Sequence, residues 1–178
     1  MSTRNRTLSA VLATLVTVSC AGATTAGTSA SRAPSIEIGA FTLTNDRDPL
    51  TNRASPGAST FDDEHNGMLQ FACLADGLAV LVGVSGDVAK TANTLTVRAA
   101  FDSAPPTAES VWLVQRQNGF TLAYLRPDEI PAFTASALTA AEARVRVANS
   151  FNNSVGVYRF SLKGLADARG RLPCWEAD

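Results

Sequence analysis

The residues able to do chemistry in this chain of 178 are few: three cysteines, one histidine, a cluster of acids and a scatter of arginines. Neither Cys73 nor Cys174 has a second cysteine or a histidine at metal-ligand spacing, so zinc is not expected and no cofactor is implied. As an even pair in an oxidising compartment, they are expected to form a disulfide. Such a bridge closes a long loop, for which the chain-entropy argument suggests about 4 to 5 kcal/mol. Cysteine catalysis then has no thiol to use.

Asp62-Asp63-Glu64-His65 is the one acidic cluster with an imidazole, offering oxygen and nitrogen ligands to a divalent cation. Neighbours in an extended chain point to opposite faces, so at most two of these side chains could converge. The expectation is a solvated rim and no metal site. Gly83-Val84-Ser85-Gly86 sets a serine between glycines, but a nucleophile elbow needs G-x-S-x-G and a nearby histidine base, and here the second glycine comes one residue early. A turn is expected there, and no catalytic residue is assigned. A carboxylate-pair mechanism stays open, because acids are plentiful and sequence does not give their separations.

Arg98, Arg144 and Arg146 fall opposite the apolar positions of their strands, with Arg116 and Arg159 as potential neighbours. If they share a sheet face, their planar guanidinium groups suit carboxylates, phosphates or an acidic partner. The alternative is a solvated face on which each arginine pairs with a nearby acid.

Composition narrows the function classes. Hydrophobic residues make up 46%, charged residues 17%, and the formal net charge is −1. That excludes a disordered chain and a nucleic-acid binder driven by bulk charge. Arg4 and Arg6 precede a neutral run from Leu8 to Ser19, the layout of a secretory signal whose apolar part is well short of the roughly 20 residues that cross a bilayer. Two cuts are open. Ala21-Gly22-Ala23 suits signal peptidase, making 1–23 the leader. Val16 to Cys20 is similar to a lipobox, making 1–19 the leader and Cys20 a diacylated anchor, the sole membrane contact expected. Residues 24–35 read as a flexible linker and 36–178 as a single domain.

That domain must position the residues above, and its patterning is mainly β. Ser35 to Thr44 reads as one strand with an irregularity at Gly39, and Asn45 to Asn66, rich in Pro, Gly, Asn and Asp, as a long surface connection or a partly ordered excursion. Leu69, Phe71 and Cys73 alternate on an inward face, Asp76-Gly77 makes a hairpin turn, and Leu78 to Val84 is apolar enough for burial on both faces. Thr94 to Phe101, then Val111 to Gln117 and Phe120 to Leu125 about Asn118-Gly119, continue the strands, with Trp112 and Tyr124 packing the sheet. Pro131 to Ala141 reads as the helix, followed by strands Arg144 to Asn149 and Val155 to Leu162 and a last helical turn near Gly164 to Arg169. About seven strands with one short crossover helix predict an antiparallel β-sandwich or barrel-like sheet, tied by the Cys73–Cys174 bridge.

A set of segments in fixed order resembles the VasI-like exported proteins associated with bacterial type VI secretion. They are Leu69-Gln70-Phe71-Ala72-Cys73, Val97-Arg98-Ala99-Ala100-Phe101-Asp102, Trp112, Ile130-Pro131-Ala132-Phe133, Phe160-Ser161-Leu162-Lys163-Gly164-Leu165 and Cys174, with Asp48-Pro49-Leu50-Thr51 as a further segment. The resemblance implies an exported β-rich domain with a paired cysteine, and it brings no active site. The expectation for function is an exported protein, periplasmic, extracellular or lipid-anchored, that binds or scaffolds a protein partner in the cell envelope. The alternatives are an envelope hydrolase using paired carboxylates and an inhibitor or immunity-type protein.

Overall fold

The computed structural model describes residues 35–47, 54–89, 93–117, 120–151 and 153–176. The leader alternatives, Cys20, the Asp48 to Thr51 segment and the Asn118-Gly119 turn lie outside them. Ten strands form one sheet: β1 (Ile36–Ile38), β2 (Phe41–Arg47), β3 (Ala54–Phe61), β4 (Gly67–Leu74), β5 (Gly77–Val84), β6 (Thr94–Phe101), β7 (Ser110–Gln117), β8 (Phe120–Tyr124), β9 (Glu142–Asn149) and β10 (Ser154–Ser161). Their order is β1-β2-β3-β4-β5-β8-β7-β6-β9-β10, and every neighbouring pair is antiparallel. The mainly β, antiparallel prediction holds, with more strands than expected.

Two sequence expectations near the start are corrected. The segment 35–44 is a hairpin of two strands: Gly39 turns the chain at φ 62°, a left-handed conformation that glycine adopts without strain, and Ile38 pairs with Phe41 across it. Within the expected surface connection over 45–66, residues 45–47 end β2, 54–61 are the whole of β3 and 62–66 turn the chain into β4. The segment's Pro and Gly content misled because the ladder to β4 starts at Gly57, beyond Pro56, so β4 loses no rung to proline. A Cβ at Gly57 would lie 3.0 Å from Nε2 of Gln70, the mobile end of a side chain that can give way. Ala58, Ser59 and Thr60 are small enough to be buried on both faces.

β5 is buried along Val80 to Val84, and Leu95, Val97, Ala99 and Phe101 of β6 face the core as the alternation predicts. The sheet curls without closing: no ladder joins β1 to β10, yet β10 lies against β3 and β4. There the Tyr158 ring covers Gly67 so closely that a Cβ would fall 2.4 Å from it.

The helix α1 (Ile130–Thr139) carries the chain from β8 across to β9, with Pro131 in its first turn. It ends before the expected Ala141 because Ala140 is already extended, at φ −99° and ψ 155°. Its Phe133 ring meets Phe101 edge-on at 5.1 Å and lies 6.4 Å from Trp112 and 6.5 Å from Phe71. Such tilted and edge-to-face aromatic pairs add about 0.5 to 1.5 kcal/mol each beyond their area. The short α2 (Leu165–Arg169) buries Leu165 and Ala168. Beyond it the chain returns to β4, where Cys174 is bonded to Cys73 with their Cα atoms 5.5 Å apart and Trp175 stacks on Phe71 at 5.0 Å.

Candidate functional site

The strand register decides which arginines share a surface. Directly opposed residues of an antiparallel pair lie on one face of the sheet. Arg98 of β6 is opposite Arg146 of β9, and Arg144 of β9 is opposite Arg159 of β10. The residues between them, Val97, Ala99, Val145, Val147, Tyr158 and Phe160, are buried, so all four guanidinium groups stand on the outer face in two adjacent rows. Arg116 does not join them, because it shares the inward parity of Trp112 and Val114 on β7.

Two of the four have acidic partners. Arg98 Nε lies 3.4 Å from Glu109, and Arg144 Nε lies 3.7 Å from Glu142 while its Nη2 donates to the Asp102 carbonyl at 2.7 Å. Arg146 and Arg159 have no carboxylate within ion-pair distance among the described residues. Val155 and Val157, half or more exposed, border the block, and a depression of about 290 Å³ beside it is lined by Thr96, Glu109, Arg146, Asn149 and Val155.

The acidic cluster lies in the turn between β3 and β4. Asp62 Oδ1 accepts from the Gly67 N–H at 2.7 Å, its carbonyl accepts from His65 N–H at 3.0 Å, and His65 takes φ 56° to close the turn. Among the described residues no three His, Cys, Asp or Glu side chains converge as ligands. Ser85 follows β5 directly, its hydroxyl donating to the Asn66 carbonyl at 3.1 Å, and Gly86, at φ 71°, opens a short 3-10 helix over Gly86–Ala89.

Beside Asp62 lies Tyr158, whose phenol is pushed above its ordinary value by burial and further by the Asp62 carboxylate; burial also raises Tyr124. These are the chain's two tyrosines. The folded state holds both phenolic protons more tightly than the unfolded state. Their contribution to stability is therefore whole below the ordinary phenol value of about 10 and is lost as pH rises through the raised values. Phenolate absorbance of the native protein should titrate above that of the urea-unfolded chain, and Tyr158→Phe should shift the onset of alkaline unfolding upward. Coincident native and unfolded titrations would contradict this.

One feature has no counterpart in the sequence reading. Between α1 and strands β6 and β7 is a pocket of about 340 Å³. Trp112, 2% exposed, forms part of its wall, and the indole Nε1 has no acceptor among the described residues. Period-two alternation marked Trp112 and Phe101 as core, but only the helix docking shows that the small Ala99, Ala132 and Ser136 leave space beside them.

No protein-family model matches the chain, and no curated protein matches it. Among solved structures, the crystal structure of invasion associated protein B from Bartonella henselae is similar, with a TM-score of 0.52 and 11% identity over 78% of this chain and 93% of that one. At that identity the likeness is one of fold. No helix among the described residues is long and apolar enough to cross a membrane.

Proposed function

We propose that this is an exported protein of the cell envelope that acts by binding, with the outer face of β6, β9 and β10 engaging an acidic surface of a protein partner. The observation that carries the reading is the block of Arg98, Arg146, Arg144 and Arg159 in two adjoining cross-strand rows. Like charges set directly opposite destabilise a sheet, so this block has a standing cost that an acidic partner would offset. Carboxylates accept paired hydrogen bonds from guanidinium forks, and the exposed Val155 and Val157 supply apolar contact at the border. The disulfide supports an oxidising location. The resemblance to VasI-like proteins points to the same setting, and on this reading the chain recruits or scaffolds and does not catalyse.

The test is retention of partners from envelope extracts on the oxidised protein, compared with an Arg98→Ala, Arg144→Ala, Arg146→Ala variant of unchanged melting temperature. Retention should fall about tenfold or more in the variant. It should also weaken for the native protein as salt is raised, since exposed charges are screened within about 10 Å at 0.1 M. Equal retention by both proteins would sink the arginine-face reading.

A further inference from the structure

The pocket beneath α1 lies on the inward side of the sheet, and of its lining residues only Glu109 also borders the depression beside the arginine block. Val97, Ala99, Phe101, Trp112, Leu125 and Phe133 line it and all are buried. Its size falls at the lower end of small-molecule sites, which run from about 300 to 1,000 Å³ and are mostly apolar with a few polar groups. The polar groups here are hydroxyls and acids: Thr107, Ser110, Ser136, Glu109, Asp128 and Glu129. Glu109 and Asp128 have side chains 51% and 72% exposed, which places them at the mouth.

The charge of that mouth selects against anions. No basic side chain belongs to the lining. Arg98 and Arg126 reach the acids from outside it: Arg98 pairs with Glu109, and Arg126 with Asp128 at 3.5 Å and with Glu129. Glu129 also accepts from Ser110 Oγ at 2.7 Å, so its second oxygen is held in place at the rim. Three carboxylates against two arginines leave the rim negative. An anionic head would have to pass or displace these carboxylates and give up its hydration in doing so. An uncharged ligand meets no such cost.

We infer that this pocket is a binding site for an uncharged, largely apolar small molecule, its ring or chain lying against Phe101, Trp112 and Phe133. Burial of an apolar body against three aromatic rings provides the affinity, and the acidic rim provides the discrimination.

The probe is prodan, an uncharged naphthalene ketone whose emission moves to the blue in an apolar site, set against an anilinonaphthalene sulfonate of similar ring size. The oxidised protein should bind prodan at one site with a blue shift, and the sulfonate about tenfold or more weakly. Ser136→Phe places a ring in the pocket and should abolish the prodan shift. Ala135→Phe, on the same helix but exposed and outside the lining, should keep it. Circular dichroism on both variants shows that each is folded. Absence of a prodan shift with the native protein, equal binding of the sulfonate, or undiminished binding by a folded Ser136→Phe protein would each overturn the inference.

Discussion

Replacing Cys73 and Cys174 together by alanine should lower the melting temperature by about 10 to 20 °C, the largest single effect expected in this molecule. The bridge spans 101 residues of sequence. In the chain-entropy account, a closed loop of that length restricts the unfolded chain enough to add about 4 to 5 kcal/mol of stability, which is a large share of the 5 to 15 kcal/mol typical of a whole domain. The native state loses little else directly, since Cys73 behaves as a small buried apolar side chain and alanine keeps most of its packing. What it loses indirectly is the tether that holds Trp175 on Phe71. Reducing the native protein with a thiol should give the same shift as the double substitution. Calorimetry or far-ultraviolet circular dichroism measures both. A double variant melting within about 2 °C of the parent would mean that the loop adds little to the unfolded-state entropy.

The partnership of these two cysteines was legible because it needed only counting and compartment, and neither depends on where the strands go. Period-two alternation likewise placed Leu69, Phe71, Cys73, Leu95, Val97 and Phe101 inward, as their burial shows. β3 was not legible. Its Ala54 to Phe61 sequence has the small, Pro- and Gly-bearing composition of a connection, and it is a strand because β2 and β4 flank it, a tertiary cause that overrides local propensity. The arginine face lies between these cases. Alternation within a strand gives parity, so Arg98, Arg144 and Arg146 could each be assigned outward. Register across strands, which brings Arg98 opposite Arg146 and adds Arg159, comes only from the ladder. The pocket was least legible of all, since it arises from how small side chains on α1 and β6 meet after docking.

A single methyl group at Gly164 should cost about 2 to 5 kcal/mol, although no side chain is lost and the site is far from the proposed binding faces. Gly164 begins α2 at φ 91°, and a Cβ there would stand 2.5 Å from the Ile38 carbonyl oxygen and 2.9 Å from its carbon. Both atoms are backbone, so nothing can swing aside. Gly39 reciprocates from the opposite turn at φ 62°, where a Cβ would fall 2.2 Å from the Lys163 oxygen. Ala40 N–H donates to that same Lys163 oxygen at 2.8 Å, so the β1–β2 turn and the β10–α2 turn are joined backbone to backbone. This junction links the first strands of the sheet to the chain beyond its last, where no ladder does so. The left-handed conformation alone accounts for about 1 to 2 kcal/mol, and the forced separation of the turns for the remainder. Gly86→Ala separates the two causes, because Gly86 has φ 71° but nothing within 4 Å of the added methyl. Urea denaturation should therefore show Gly86→Ala losing only the backbone part and Gly164→Ala losing clearly more. If the two variants unfold at the same urea concentration, the turns do not pack together in solution, and the curled shape of the sheet must be held by Tyr158 on Gly67 and the disulfide alone.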